Sequence, residues 1–282
     1  MIYIHSSKIA IITKFNKYTT DDDYIKLFMT NLYKNKDSMK QSDEEEIEVK
    51  FVSEADYLNT VVLDNVSEKI KTEINNIINE DITSNNTLIT TTAKLQNIVE
   101  NLDDLSDKGK HKIKNELESR INCNYGTNTE NIAIKLYEAE TGHKVYNNNS
   151  KLYVHKYKQF AICGKTDGFV KIDDKEYIFE TKNRKSRLFK TIPIYEKIQL
   201  LAYTVLCKNN NIIFTQCINN KIDIKQLINY CDEDLWNSII YKLTQYVVLI
   251  NKLQTEKLFR HSFIVLPDEN KYEFLQGYLN WL

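Results

Sequence analysis

The sequence predicts an α/β fold, one core of strands and helices with a helical insertion in its N-terminal half. Three observations carry that prediction. Apolar residues recur every three or four positions through Leu58, Val62, Val66, Ile70, Ile74 and Ile77, the period of an amphipathic helix. Residues 151–183 change to Tyr, Val, Phe and Ile interleaved with polar residues, which is strand character. Beyond Pro193 a helical pattern, a strand-like run at 211–218 and a long helical pattern at 233–257 follow one another, an alternation that builds a sheet with helices packed on it.

Composition bounds the rest. The chain has 282 residues, 42% of them apolar and 27% charged, enough for one sizeable core and too apolar for long-range disorder. There are 38 basic and 39 acidic residues, a net charge of −1. A nucleic-acid footprint must therefore be a local patch. Five cysteines stand at 123, 163, 207, 217 and 231, none in a CxxC pair, which argues against zinc and iron–sulfur sites. An odd cysteine count and no secretory pattern at Met1–His5 lead to the expectation of an intracellular protein with reduced thiols. No run approaches the ~20 apolar residues of a membrane span.

Taken in order, residues 1–20 mix short apolar runs with hydroxyl residues, and 21–35 read as a helix. An acidic stretch at 43–48 reads as solvated. Helical periodicity runs from Ser53, breaks at Asn85 and Asn86, resumes through Leu95, Ile98, Val99 and Leu102, and continues from Lys108 to Ile121. Residues 50–122 are thus a helical insertion or arm, and 124–257 the core, of a single domain spanning 1–282. A separate helix is expected over 126–141, with Thr127 and Glu130 spaced as a capping box and Gly142 as its end. Pro193 is placed at the first helical position, ahead of an apolar face of Ile194, Ile198, Leu201 and Val205.

The chemistry concentrates in Gly164-Lys165-Thr166-Asp167-Gly168 and Phe179-Glu180-Thr181-Lys182. A two-residue turn at Asp173-Asp174 would set Asp167 opposite Glu180 on one sheet face. Opposed carboxylates repel, so the pairing makes sense around a divalent cation held by hard oxygens, Mg²⁺ or Mn²⁺. Lys182, two residues on, shares the face of Glu180 and can orient or deprotonate a water or offset charge on a phosphate. The same charges would also suit the solvated face of an ordinary hairpin. Against that, Tyr177-Ile178-Phe179 is continuous and apolar, as in a strand covered on both faces.

The set Gly164-x-x-Asp167-Gly168, Glu180-x-Lys182 and a following helix with Gln199 and Tyr203 resembles the PD-(D/E)XK nuclease superfamily. It is most similar to the branch of phage lambda exonuclease and the YqaJ viral recombinases. Gly126-x-x-x-Glu130 with Ala133, Tyr137 and Thr141-Gly142 resembles that branch's first core helix, and Ser6-Ser7-Lys8 through Asn16-Lys17-Tyr18 its N-terminal motif. Two positions depart from the branch: Tyr125, where it often has Arg, and Thr13, where it usually has Gly. Both bear on recognition of the DNA end.

The resemblance implies a restriction-endonuclease-like core, a central mixed β-sheet flanked by helices. It implies hydrolysis of DNA from a duplex end, 5′ to 3′, with Asp167, Glu180, the Thr181 carbonyl and Glu130 as metal ligands and Lys182 handling the water. Gln199 is then a further catalytic residue touching Lys182 or substrate. Tyr203 would contact a DNA phosphate or buttress Gln199, and Ser6 and Ser7 would bind a terminal phosphate or, equally, cap the first structured segment. Arg184, Lys185, Arg187 and Lys190 extend a basic run from Lys182 with no acid before Glu196, a path suited to phosphate contacts. His155 is expected to be structural. An inactive DNA-binding or scaffold protein, a single-strand exonuclease and a structure-specific endonuclease stay open. So do a single-strand annealing protein as partner and a homo-oligomer around DNA.

Overall fold

The computed structural model describes residues 1–33, 63, 66–102, 105–147 and 151–279. The acidic stretch at 43–48, the start of the helical periodicity at 53–62 and residues 34–35 lie outside the described residues.

Two sheets organise the core. β1 (Ile2–His5), β4 (Phe160–Gly164) and β3 (Tyr153–Lys156) form a three-stranded sheet in the order β1-β4-β3. β2 (Val145–Tyr146), β5 (Gly168–Ile172), β6 (Lys175–Asn183), β7 (Ile212–Ile218) and β8 (Lys221–Leu227) form a five-stranded mixed sheet in the order β2-β5-β6-β7-β8. The β6–β7 pair is parallel and its neighbours are antiparallel. The expected mixed sheet is present, with the second sheet beside it. β8 was not legible in the sequence. Its Lys221, Asp223 and Lys225 alternate with isoleucines of an edge strand, where charge blunts the open edge.

Three helices precede the arm's last helix in the described chain beyond the short α1 (Ile9–Ile12) and its leading 3₁₀ turn Ser6–Lys8: α2 (Asp21–Tyr33), α3 (Glu68–Ile78) and α4 (Asn85–Glu100). Asn85 and Asn86 open α4 rather than break the chain. Ser84 caps the helix by accepting from the Thr87 N–H, in a reciprocal capping box. The break falls just before it.

The main departure from expectation is α5 (Asp107–Thr141), 35 residues without interruption. The predicted 108–121 and 126–141 helices are one. Thr127 is not a cap. Its hydroxyl donates to the Cys123 carbonyl at 3.1 Å inside the helix. Gly142 ends α5 as expected, at φ 73°. The buried positions Ile113, Leu117, Ile121, Tyr125, Thr129, Ala133 and Tyr137 recur every four residues. Four residues overshoot a turn by about 40°, so the buried stripe winds around the helix. Its first half packs into the arm's own core with Ile74, Ile78, Leu95 and Val99. Its second half packs Ile134 and Tyr137 on Tyr177, Phe179 and Ile213 of the sheet. The expected boundary between arm and core therefore falls inside a single helix.

On the other sheet face lies α6 (Ile194–Cys207). Pro193 is its N-cap rather than its first residue. The helix is buried on more than one side, through Ile198, Leu200, Leu201, Ala202 and Tyr203, while Ile194 is exposed, because both sheets press on it. α7 (Glu233–Thr255), capped by Asp232 on the Leu235 N–H, joins α8 (Lys257–Ile264) and α9 (Asp268–Gln276) around α2. Tyr24, Phe28, Tyr246 and Phe263 make an aromatic core there.

The β5–β6 turn controls the register of everything that follows. Asp173 and Asp174 have φ of 46° and 63°, the two left-handed residues of a type I′ turn. A β-branched residue there should cost roughly 1–2 kcal/mol, whereas glycine fits. Urea melts should show Asp174→Val destabilised by that amount and Asp174→Gly no less stable than the parent. Equal effects would mean a different turn.

Candidate active site

The antiparallel ladder runs from Ile172 opposite Lys175 to Gly168 opposite Phe179. One step further brings Asp167 opposite Glu180, the register the sequence predicted. The Thr181 N–H donates to Asp167 Oδ2 at 2.8 Å and ties the two chains there. Alternation along β6 sends Tyr177 and Phe179 to α5 and turns Ile178 toward α6. Glu180 and Lys182 follow Ile178. Lys182 Nζ donates to Glu180 Oε1 at 2.5 Å and to Gln199 Oε1 at 3.0 Å.

The line continues through α6. Gln199 Nε2 donates to the Tyr203 hydroxyl at 2.8 Å, one helical turn on. Tyr203 is also hydrogen-bonded to Ser6. This contact needs Gly164. A Cβ there would stand 2.5 Å from Ser6 Oγ and 3.2 Å from the Tyr203 ring. Thus Glu180, Lys182, Gln199, Tyr203 and Ser6 form one polar line through an apolar layer.

Burial sets the electrostatics. Glu180 is 1% exposed. Burial, with the Asp167 carboxylate beside it, pushes its pKa up to about 8. Burial also raises Asp167, against the pull of Lys182 and the Thr181 N–H. Burial would lower Lys182, but the Glu180 and Asp167 carboxylates outweigh it and hold the ammonium above its ordinary value. Glu180 Oε2 is buried with no hydrogen-bond partner. Two adjacent carboxylates and one uncommitted buried oxygen make a hard-oxygen donor set, and it fits a divalent cation. Among the described residues no three His, Cys, Asp or Glu side chains gather into a metal-holding group. The side-chain oxygens that the site offers such a cation are those of Asp167 and Glu180.

Residues 72–199 match the family model described as the YqaJ-like viral recombinase domain. That family is a member of the PD-(D/E)XK nuclease superfamily, the one the motifs of this chain resemble. The match starts within α3, so the domain includes most of the described arm, which the motifs alone had left out. It ends at Gln199. The assignment points to a nuclease acting on DNA in recombination. No curated protein matches the chain. A solved structure titled "Crystal structure of SSO0001" is similar at 14% identity, over 68% of this chain and 86% of that chain, with a TM-score of 0.32. Among the described residues no helix is long and apolar enough to cross a membrane. The five cysteines are free.

Other predicted site residues are placed differently from expectation. Glu130 is half-buried on α5, the helix that covers the opposite sheet face from Glu180, and it is not gathered with the carboxylate pair. Arg184 does not face solvent. Its NH1 and NH2 donate to Glu196 Oε1 and Oε2 at 2.6 and 2.7 Å, and its Nε to Gln216 Oε1 at 2.8 Å. Lys185 donates to Asn122 Oδ1 on α5, and burial lowers its pKa. Arg187 and Lys190 are exposed, as the basic run predicted. Ser6 turns inward to Tyr203. Ser7 instead lines an 830 Å³ cleft with Lys8, Tyr18, Asn115, Ser119 and Asn122, between the N-terminal segment and α5. His155 packs edge-on to Tyr157. Sequence reasoning missed Glu196 and Gln216. Glu196 was detectable, since it precedes Gln199 by three residues and shares its helix face.

Two outcomes follow from this geometry. Gly164→Ala should cost about 1–3 kcal/mol from overpacking, and adding Ser6→Gly should recover part of it in urea melts. No recovery would mean that Ser6 does not set the fit. Second, a carboxyl whose pKa rises on folding stabilises the protein fully below its unfolded value. That contribution is lost as pH rises through the folded value. In metal-free buffer the stability difference between the parent and Glu180→Gln should fall from pH 4.5 to about 8. A difference flat across that window would contradict the burial account.

Proposed function

We propose that this protein is a metal-dependent DNA exonuclease that hydrolyses phosphodiesters from a duplex end, 5′ to 3′. The observation that carries the reading is the buried Asp167–Glu180 pair with Lys182 donating to Glu180. In this reading Asp167, Glu180 and the Thr181 carbonyl hold Mg²⁺ or Mn²⁺. When bound, such a cation supplies Lewis-acid polarisation of the phosphate and offsets the two carboxylates.

The chain's own residues do the rest. Lys182 spends two of its N–H bonds on Glu180 and Gln199. Its side chain is 26% exposed, so the remaining proton is offered to the attacking water or a phosphate oxygen. As an ammonium it orients and neutralises. Gln199, held by Tyr203, keeps that ammonium from swinging away. Arg187 and Lys190, with Lys185 behind them, flank the exit from the site and suit backbone phosphates.

Two observations favour a second reading, a structure-specific nuclease without end preference. Thr13 is fully buried, with its hydroxyl donating to the Ile9 carbonyl at 2.8 Å. Tyr125 is buried and donates to Asn85 Oδ1 at 2.9 Å. Neither position is free to meet a DNA end.

The test uses linear duplex labelled at either 5′ or 3′ end, and a closed circle, with Mg²⁺. The 5′ label should be released first from linear DNA, and the circle should survive. Lys182→Ala and Asp167→Asn should each lower the rate by at least about 10²-fold, and chelation should abolish it. Cleavage of the circle would favour the second reading. Undiminished cleavage by Lys182→Ala would remove the active-site assignment.

A further inference from the structure

We propose that the buried Arg184–Glu196 pair, locked by Gln216, is a positioning device that sets Gln199 and, through it, Lys182. This rests on the nuclease reading above. The placement follows from two periodicities. Lys182 and Arg184 are alternate residues of β6 and its continuation, so both face α6. Glu196 and Gln199 are three apart on α6 and share a face. Strand and helix are therefore joined by two successive rungs. Lys182 to Gln199 spans 3.0 Å, and Arg184 to Glu196 is a fork at 2.6 and 2.7 Å.

The second rung is the stiffer. A guanidinium meeting a carboxylate through two parallel bonds fixes direction as well as distance. Glu196 lies in the first turn of α6, so the fork sets the height and rotation at which the helix starts, one turn before Gln199. Gln216 holds the guanidinium from behind. It is fully buried on β7, directly beside Lys182 in the ladder. Its Oε1 accepts from Arg184 Nε and from the Phe189 N–H at 3.1 Å. Its Nε2 donates to the Phe189 carbonyl at 2.9 Å and to Asp223 Oδ2 at 3.0 Å. Both lone pairs and both protons of the amide are in use. The Phe189 ring lies 4.5 Å from the guanidinium carbon. The loop from β6 to α6 is thus clamped at its middle.

Energetics favour a geometric role over a stabilising one. The side chains of the pair are 11% and 5% exposed. For a pair this buried, desolvation offsets much of the attraction, and apolar residues of similar volume often stabilise as well. What apolar residues would not supply is a directional fork beside the catalytic ammonium.

The experiment compares Glu196→Gln, Arg184→Lys, Gln199→Ala and the Glu196→Gln/Gln199→Ala double variant with the parent. Glu196→Gln and Arg184→Lys should each lower kcat about tenfold with KM for duplex DNA unchanged within about twofold. In the Gln199→Ala background, Glu196→Gln should cost less than about twofold more, because both act on the same ammonium. The Gln199 side-chain amide resonance, assigned by its loss in Gln199→Ala, should shift in Glu196→Gln and in Arg184→Lys. Costs that multiply in the double variant, or an amide resonance that stays in place, would overturn the proposal. The resonance needs no activity. A parent protein that cleaves nothing would sink the nuclease reading and leave the positioning claim to be decided by the spectrum. Should Glu196→Gln not fold, Arg184→Lys carries the same kinetic and spectral comparison.

Discussion

Two carboxylates opposed at the end of the β5–β6 hairpin constrain everything built around them. Burial raises the cost of ionising both Asp167 and Glu180, and the Asp167 carboxylate raises that of Glu180 further. The fold answers with one positive charge, Lys182, and one backbone donor, the Thr181 N–H. That leaves the cluster one positive charge short of neutrality when both acids are ionised. This imbalance and the uncommitted buried oxygen are what support the proposed cation, and the same property makes the cluster poor as a purely structural feature.

The surroundings keep that cluster in register. The type I′ turn at Asp173–Asp174 sets which residues oppose one another, and a one-residue slip would move Glu180 to the face covered by α5. Gly164 lets Ser6 and Tyr203 approach, so the N-terminal segment closes over the polar line. The paired rungs between β6 and α6 fix the helix that presents Gln199. The arm is tied into the same neighbourhood. Asn85 at the start of α4 reaches Asn219 in the β7–β8 turn at 2.7 Å, and Asn122 of α5 accepts from Lys185. The unbroken α5 joins arm and core, and the YqaJ-like match runs from α3 into α6 across that junction.

Legibility varied with how local each feature is. The hairpin register was readable because turn chemistry and strand alternation act over a few residues. The end of α5 at Gly142 was readable for the same reason. The continuity of α5 was not, because Cys123, Asn124 and Gly126 weaken local helix propensity and two separate cores restore it through packing. β8 escaped notice because an edge strand carries charges that mimic a loop. Arg184 was misread as a phosphate contact because its partner stands twelve residues away in the chain and is brought close only when α6 folds back on β6.

By itself the sequence determined the α/β class, the opposition of Asp167 and Glu180, the face shared by Lys182, and the helix carrying Gln199 and Tyr203. These depend on periodicities of two and 3.6 residues, which are properties of the local backbone. Only the tertiary structure decided which charges are spent on one another. Arg184 is consumed by Glu196, Glu130 lies with the helix on the far sheet face, and Ser6 points in while Ser7 points out. Those outcomes depend on which surfaces meet across the chain, and a one-dimensional pattern carries no record of distance in space.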